Sequence, residues 1–221
     1  MDPYNIIIKI CVMAIPVVLA ITLHEAAHGY VARMFGDNTA YMLGRVTLNP
    51  AKHIDPFGTI LFPLLTAILG GVVFGWAKPV PVNFNNLRNP KADMLWVAAA
   101  GPASNVVQAL AWGCVAKLIE MASGSSMIAQ FWFAVAIAGI QWNVVVAVFN
   151  LFPILPLDGG RMVTSLLPNR LSYSYSRLEP YGMPILLGLI ILMAVYRPLG
   201  ELFSAVMSAG NDLFYALFRL E

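Results

Sequence analysis

Apolar residues fill long stretches between widely spaced charges: uncharged intervals cover 56–77, 94–116, 121–157 and 180–196, and a further apolar run covers 10–24. A helix that crosses a bilayer needs about 20 residues at 1.5 Å rise each, so most of these intervals are long enough. The pattern predicts an all-α polytopic membrane protein, a helical bundle of about four to six membrane segments forming a single integral membrane domain over 1–221. A first helix is expected over 4–35, bent near Pro16 and stopped by Gly36-Asp37-Asn38. From 39 to 77 the pattern changes. Arg45-Val46-Thr47-Leu48 reads as a short strand, and Asn49-Pro50 and Asp55-Pro56 are turn signals, which predicts a small β-hairpin. The interval 56–77 contains Pro63, Gly70, Gly71 and Gly75 and reads equally as a full span or a re-entrant element. Core helices are expected over 91–121 and 128–151. A segment over 150–167 follows, opened by Pro153, Pro156 and the pair Gly159-Gly160, and then C-terminal helices over 181–220, the last of them amphipathic and lying at the membrane surface.

Composition strengthens the membrane reading. Hydrophobic residues make up 59% of the chain and charged residues 11%, against about 25% charged in an ordinary globular protein. A net charge of +2, scattered along the chain, points to no nucleic-acid partner and no polybasic membrane patch. Cys11 and Cys114 both fall in apolar text without metal-like spacing, so buried thiols are expected rather than a disulfide. The first 24 residues read as a retained helix rather than a signal peptide. Lys9 interrupts the basic start, no small-residue cleavage site ends the run, and cleavage would remove the residues that carry the chemistry.

Those residues are His24-Glu25-Ala26-Ala27-His28, at the inner end of the first apolar run. Residues four apart on a helix lie one above the other, so His24 and His28 can offer imidazole nitrogens to one metal with Glu25 beside them. A catalytic zinc centre normally takes three protein ligands and keeps one position for water. The next glutamate is Glu120, and no histidine continues the extended spacing of soluble zinc proteases. Asp37, His53, Asp55 and Asp158 remain. Of these, Asp158 alone interrupts an otherwise uncharged membrane region, where a carboxylate is expensive unless paired or bound to metal. Asp158 is therefore the expected third ligand.

Together, His24-Glu25-Ala-Ala-His28, Leu157-Asp158-Gly159, Gly101-Pro102-Ala103-Ser104-Asn105 and Asn150 resemble the site-2 protease family of intramembrane zinc metalloproteases, in its compact form without a PDZ or CBS domain. The resemblance covers residues 20–160. It implies one Zn2+ per chain, held by His24, His28 and Asp158, with Glu25 as the general base that activates the bound water and passes its proton to the leaving amine. It also implies that Asn150 binds substrate backbone or stabilises the oxyanion. Gly101 and Asn105 are expected to support the site through close helix packing and a cross-helix hydrogen bond. The implied partners are transmembrane-helix protein substrates, membrane lipids and, for gating, a separate regulatory protein. The implied role is regulated intramembrane proteolysis, and the compact multi-pass architecture leads us to expect the bacterial cytoplasmic membrane.

Cleavage of a helix requires local unwinding, and the strand-like Arg45–Leu48 and Val80–Val82 are candidates to pair with the unwound substrate. The structural alternatives are equally specific. Asp158 could cap a helix and pair with Arg161, Asn150 could satisfy a neighbouring backbone group, and His53 reads as a loop histidine bonded to a turn. The functional rivals are a polytopic ion or proton transporter and a non-catalytic membrane scaffold.

Overall fold

A computed structural model describes residues 3–61, 65, 75–122 and 126–220. Helix α1 spans Pro3–Met34, α2 Thr39–Met42, α3 Pro90–Met121, α4 Met127–Asn150, α5 Asp158–Leu166, α6 Asn169–Ser176, α7 Gly182–Val195 and α8 Arg197–Phe218. The described residues are helical or irregular, with no strand among them. Four segments among them are long and apolar enough to cross a membrane: Ile7–Met34, Pro90–Met121, Met127–Asn150 and Asn169–Val195. The apolar surface fits a lipid environment, since Ile10, Val107, Leu118 and Ile191 are all exposed on these helices.

Local chemistry sets the helix ends. Gly36 adopts φ 112°, and the N–H groups of Gly36 and Asp37 bond back to Arg33 O (3.1 Å) and Ala32 O (3.0 Å). This is the left-handed glycine cap that satisfies the last carbonyls of a helix. Pro90 occupies the first turn of α3, where a missing N–H costs nothing, and Asp93 accepts the Asn89 N–H at 2.7 Å. The Ser126 hydroxyl caps α4 by accepting from Ala129 N–H at 3.2 Å.

Helices α1, α3 and α4 form the centre of the bundle, and α5 lies against α3. A core of Ala109, Ile140, Val144, Met207 and Phe214 joins α3, α4 and α8. The C-terminal helix thus docks its Met207–Phe214 face on the bundle. A second cluster of Ala32, Leu87 and Val97 fastens the connector before α3 onto α1.

The β-hairpin expected over Arg45–Leu48 does not form. Its text is β-like, but the chain is drawn into turns: the Arg45 N–H closes on Ala40 O at 2.9 Å and the Asn49 N–H on Thr47 Oγ1 at 3.1 Å. Val80–Val82 is irregular and belongs to no ladder, as expected with Pro81 removing one of its donors and Pro79 another just before it. Cys11 and Cys114 lie exposed on α1 and α3 rather than in the core.

The interval 56–77 lies largely outside the described residues. Its described ends meet: Trp76 N–H donates to Gly58 O at 3.0 Å and Thr59 Oγ1 to Trp76 O at 2.9 Å.

Candidate metal centre

His24 and His28 project from the same face of α1, one turn apart, and both are buried. Asp158 is the first residue of α5. The loop 151–157 carries it there after α4 ends at Asn150, and Gly159 and Gly160 let the first turn of α5 lie against that loop. A Cβ on Gly160 would stand 2.5 Å from Leu155 N, and one on Gly159 would collide with Leu151 O and Phe152 O. The far end of α5 is pinned to α3, since Lys91 Nζ donates to Leu167 O (2.5 Å) and Asn169 Oδ1 (2.8 Å), and the Ser165 hydroxyl donates to Lys91 O. The Asp158 carboxylate thereby reaches the paired imidazoles, with Oδ2 3.1 Å from His24 Nε2 and Oδ1 3.3 Å from His28 Nε2. The two Nε2 atoms are 3.1 Å apart.

The outer nitrogen of each ring determines what the inner one can do. His28 Nδ1 lies 2.7 Å from Val97 O. A carbonyl only accepts, so that nitrogen carries the proton. For His24 the argument runs through two amides. Asn143 Nδ2 donates to Gly139 O at 2.8 Å, which leaves Asn143 Oδ1 to accept from Asn105 Nδ2 at 2.8 Å. Asn105 Nδ2 also donates to Ala20 O at 3.1 Å, so Asn105 Oδ1 is the atom that faces His24 Nδ1, at 2.6 Å. Backbone carbonyls at both ends of this chain fix the amide orientations, and His24 Nδ1 is a donor.

With Nδ1 carrying the proton, the neutral form of each imidazole presents an Nε2 lone pair inward, and both meet a carboxylate. Asp158 Oδ2 is buried without a hydrogen-bond donor. Three acceptors facing one another repel, and a proton can bridge only one of the three contacts at a time, whereas a cation at their centre satisfies all three. The spacing fits zinc: tetrahedral bonds of about 2.0–2.1 Å put ligand atoms about 3.3 Å apart. Among the described residues, His24, His28 and Asp158 form the group able to hold a metal ion.

Gly101 packs against both rings. A Cβ there would lie 2.6 Å from His24 Nε2 and closer still to His28 Nε2. Glu25 sits beside the cluster and its Oε2 accepts the Val80 N–H at 2.7 Å. Asn150 stays with its own helix, donating from Nδ2 to Val146 O at 3.0 Å. Arg161 pairs with Glu179 at 3.0 Å rather than with Asp158, so the capping alternative for that carboxylate loses its partner. His53 bonds through Nε2 to Thr47 O at 3.0 Å, within its own turn.

Sequence reasoning did not single out Val97 or Asn143, and it named Val80 only as the start of a strand-like segment that could pair with substrate. Asn143 left a signal, as one of four amides in a helix without charged residues. Val97 left none, and nothing in the sequence tied Val80 to Glu25, because both act through backbone groups.

Residues 112–194 match peptidase family M50. The chain is 38% identical over 218 residues to YwhC of Bacillus subtilis, a candidate zinc metalloprotease by name, covering 94% of this chain and 92% of that protein. It is 31% identical over 207 residues to Rip2 of Mycolicibacterium smegmatis, likewise named as a candidate zinc metalloprotease, covering 88% of this chain and 76% of the relative. No solved structure matches it. With the four apolar helices and a donor set suited to Zn2+, these similarities settle the class: the chain belongs to peptidase family M50 and is a multi-pass membrane zinc metalloprotease of the site-2 protease type.

Proposed function

We propose that the protein hydrolyses peptide bonds in or beside the transmembrane helices of membrane-protein substrates, as a step in regulated intramembrane proteolysis at a bacterial cytoplasmic membrane. The observation that carries this is the convergence of His24 Nε2 and His28 Nε2, on a helix of membrane-spanning character, with the Asp158 carboxylate at the start of the short helix α5. In this reading those three residues hold zinc. When bound, zinc supplies a Lewis acid and lowers the pKa of water from about 15.7 towards about 7.

The remaining chemistry falls to the chain. Glu25 accepts the proton of the attacking water and delivers it to the leaving amine, while the Val80 N–H holds one of its oxygens. Asn105 and Val97 keep the imidazoles in the tautomer that can bind metal. Asn150 is assigned to substrate backbone, which requires its amide to leave Val146 O when substrate enters. Substrates should carry helix-weakening residues at the cut, because intact helical hydrogen bonds shield the scissile peptide.

The test is reconstitution of the full chain in vesicles with a synthetic single-span Leu/Ala helix, broken centrally by Gly and Pro and labelled at its ends with fluorophore and quencher. Wild type should cleave it. Glu25→Gln should abolish cleavage while retaining zinc, and chelation should abolish it until zinc is restored. Cleavage that persists in either control would refute the mechanism.

A further inference from the structure

Arg45 is a buried cation that forms no ion pair among the described residues. Its guanidinium is turned onto backbone instead: Nη2 donates to Lys78 O at 2.9 Å and to Pro79 O at 3.3 Å. A buried charge is costly to keep, so its partners deserve a reason. The residue that follows those carbonyls is Val80, whose N–H is the one bonded to Glu25 Oε2 at 2.7 Å. Pro79 and Pro81 have no N–H, which leaves Val80 as the single backbone donor of 79–81, and that donor is directed at Glu25.

Two further contacts hold this segment, one to the loop at His53 and one to α1. The Lys78 N–H donates to His53 O at 2.9 Å. Gly29, one turn beyond Glu25, makes the room: a Cβ there would stand 2.8 Å from Val46 Cγ2 and 3.1 Å from Val80 Cγ1. The segment before it, Arg45–Leu48, is therefore shaped by its side chains rather than by strand pairing.

We propose that Arg45 is the positioning residue of Glu25: by clamping the carbonyls of Lys78 and Pro79 it sets the Pro79–Pro81 strap so that the Val80 N–H orients the Glu25 carboxylate. One oxygen is then fixed and the other takes the proton. The proposal rests on Glu25 acting as the base. A strap that merely covered the site would have the opposite consequence, since loosening it would raise activity.

The experiment compares wild type, Arg45→Met, Arg45→Lys and Glu25→Ala in the reconstituted full chain, with the labelled Leu/Ala helix as substrate, zinc content measured throughout, and hydrogen exchange followed in peptides covering 77–83. Methionine keeps apolar length and removes every donor, whereas lysine keeps one cationic donor. In Arg45→Met, exchange at Val80 should rise about tenfold or more as its bond opens. Its kcat should fall between about tenfold and a hundredfold, KM should change less than about twofold, and one zinc per chain should remain. Arg45→Lys should recover part of the lost kcat, and Glu25→Ala should raise exchange at Val80 as Arg45→Met does. Unchanged exchange in Arg45→Met, unchanged or higher kcat, a change confined to KM, or loss of zinc would each overturn the assignment. If wild type fails to cleave the helix, the proposed function fails, while the exchange comparison still decides whether Arg45 holds Val80 to Glu25.

Discussion

At the scale of the residue, the site is governed by hydrogen bonds that leave each imidazole one role. Asn105 and Val97 take the Nδ1 protons, so both Nε2 atoms are available together. Loss of such an outer partner typically weakens metal binding by about 10- to 100-fold. Asn105→Ala should therefore lower zinc affinity by that order, read by competition against a chromophoric chelator; unchanged affinity would remove Asn105 from the site. Gly101→Ala makes the harsher demand, since its methyl would enter the space between the rings. That variant should retain far less than one zinc per chain by elemental analysis, even if it inserts and folds.

At the scale of the element, the end of α1 depends on Asp37 as well as on Gly36. The fully buried Asp37 carboxylate accepts from Thr39 N–H (3.0 Å), Thr39 hydroxyl (2.5 Å), Asn83 N–H (2.7 Å) and Asn86 Nδ2 (3.1 Å). Burial pushes its pKa up, but the donors from Thr39, Asn83 and Asn86 outweigh burial and hold it below the ordinary carboxylate value. A folded-state pKa below the unfolded value, about 3.9 for Asp, contributes stability that is present above that value and lost as pH falls through the folded one. The thermal midpoint of wild type in detergent should accordingly fall as pH drops below about 4. Asp37→Asn should be less stable at neutral pH and should lack that component of the acid loss; parallel pH curves for the two proteins would show that Asp37 contributes nothing through its charge.

At the scale of the whole molecule, the proposed metal ties α1 to α5 across His24 and Asp158, with α3 wedged between them through Gly101 and Asn105. A ligand that binds only the folded state stabilises it by RT ln(1 + [L]/Kd), about 4 kcal/mol at a thousandfold excess over Kd. Chelation should lower the thermal midpoint of wild type, and Asp158→Asn should begin lower and respond less. An identical midpoint with and without chelator would mean that no metal joins these helices.

The sequence by itself determined what depends on local pattern. Uncharged runs marked the apolar helices because lipid tolerates few charges, the i, i+4 histidines marked a shared helix face, and Asp158 stood out as a carboxylate in uncharged text. Only the tertiary structure decided what distant groups do to one another. It brought Asp158 to His24 and His28, and it assigned the Nδ1 protons through Val97 O and the chain Asn105–Asn143–Gly139. It also turned the strand-like text at Arg45–Leu48 into turns, because a strand needs a partner ladder and the Arg45 N–H was taken by Ala40 O while its side chain turned to the carbonyls of Lys78 and Pro79. Backbone acceptors are the same at every position of a sequence, and only folding shows which of them a side chain will meet.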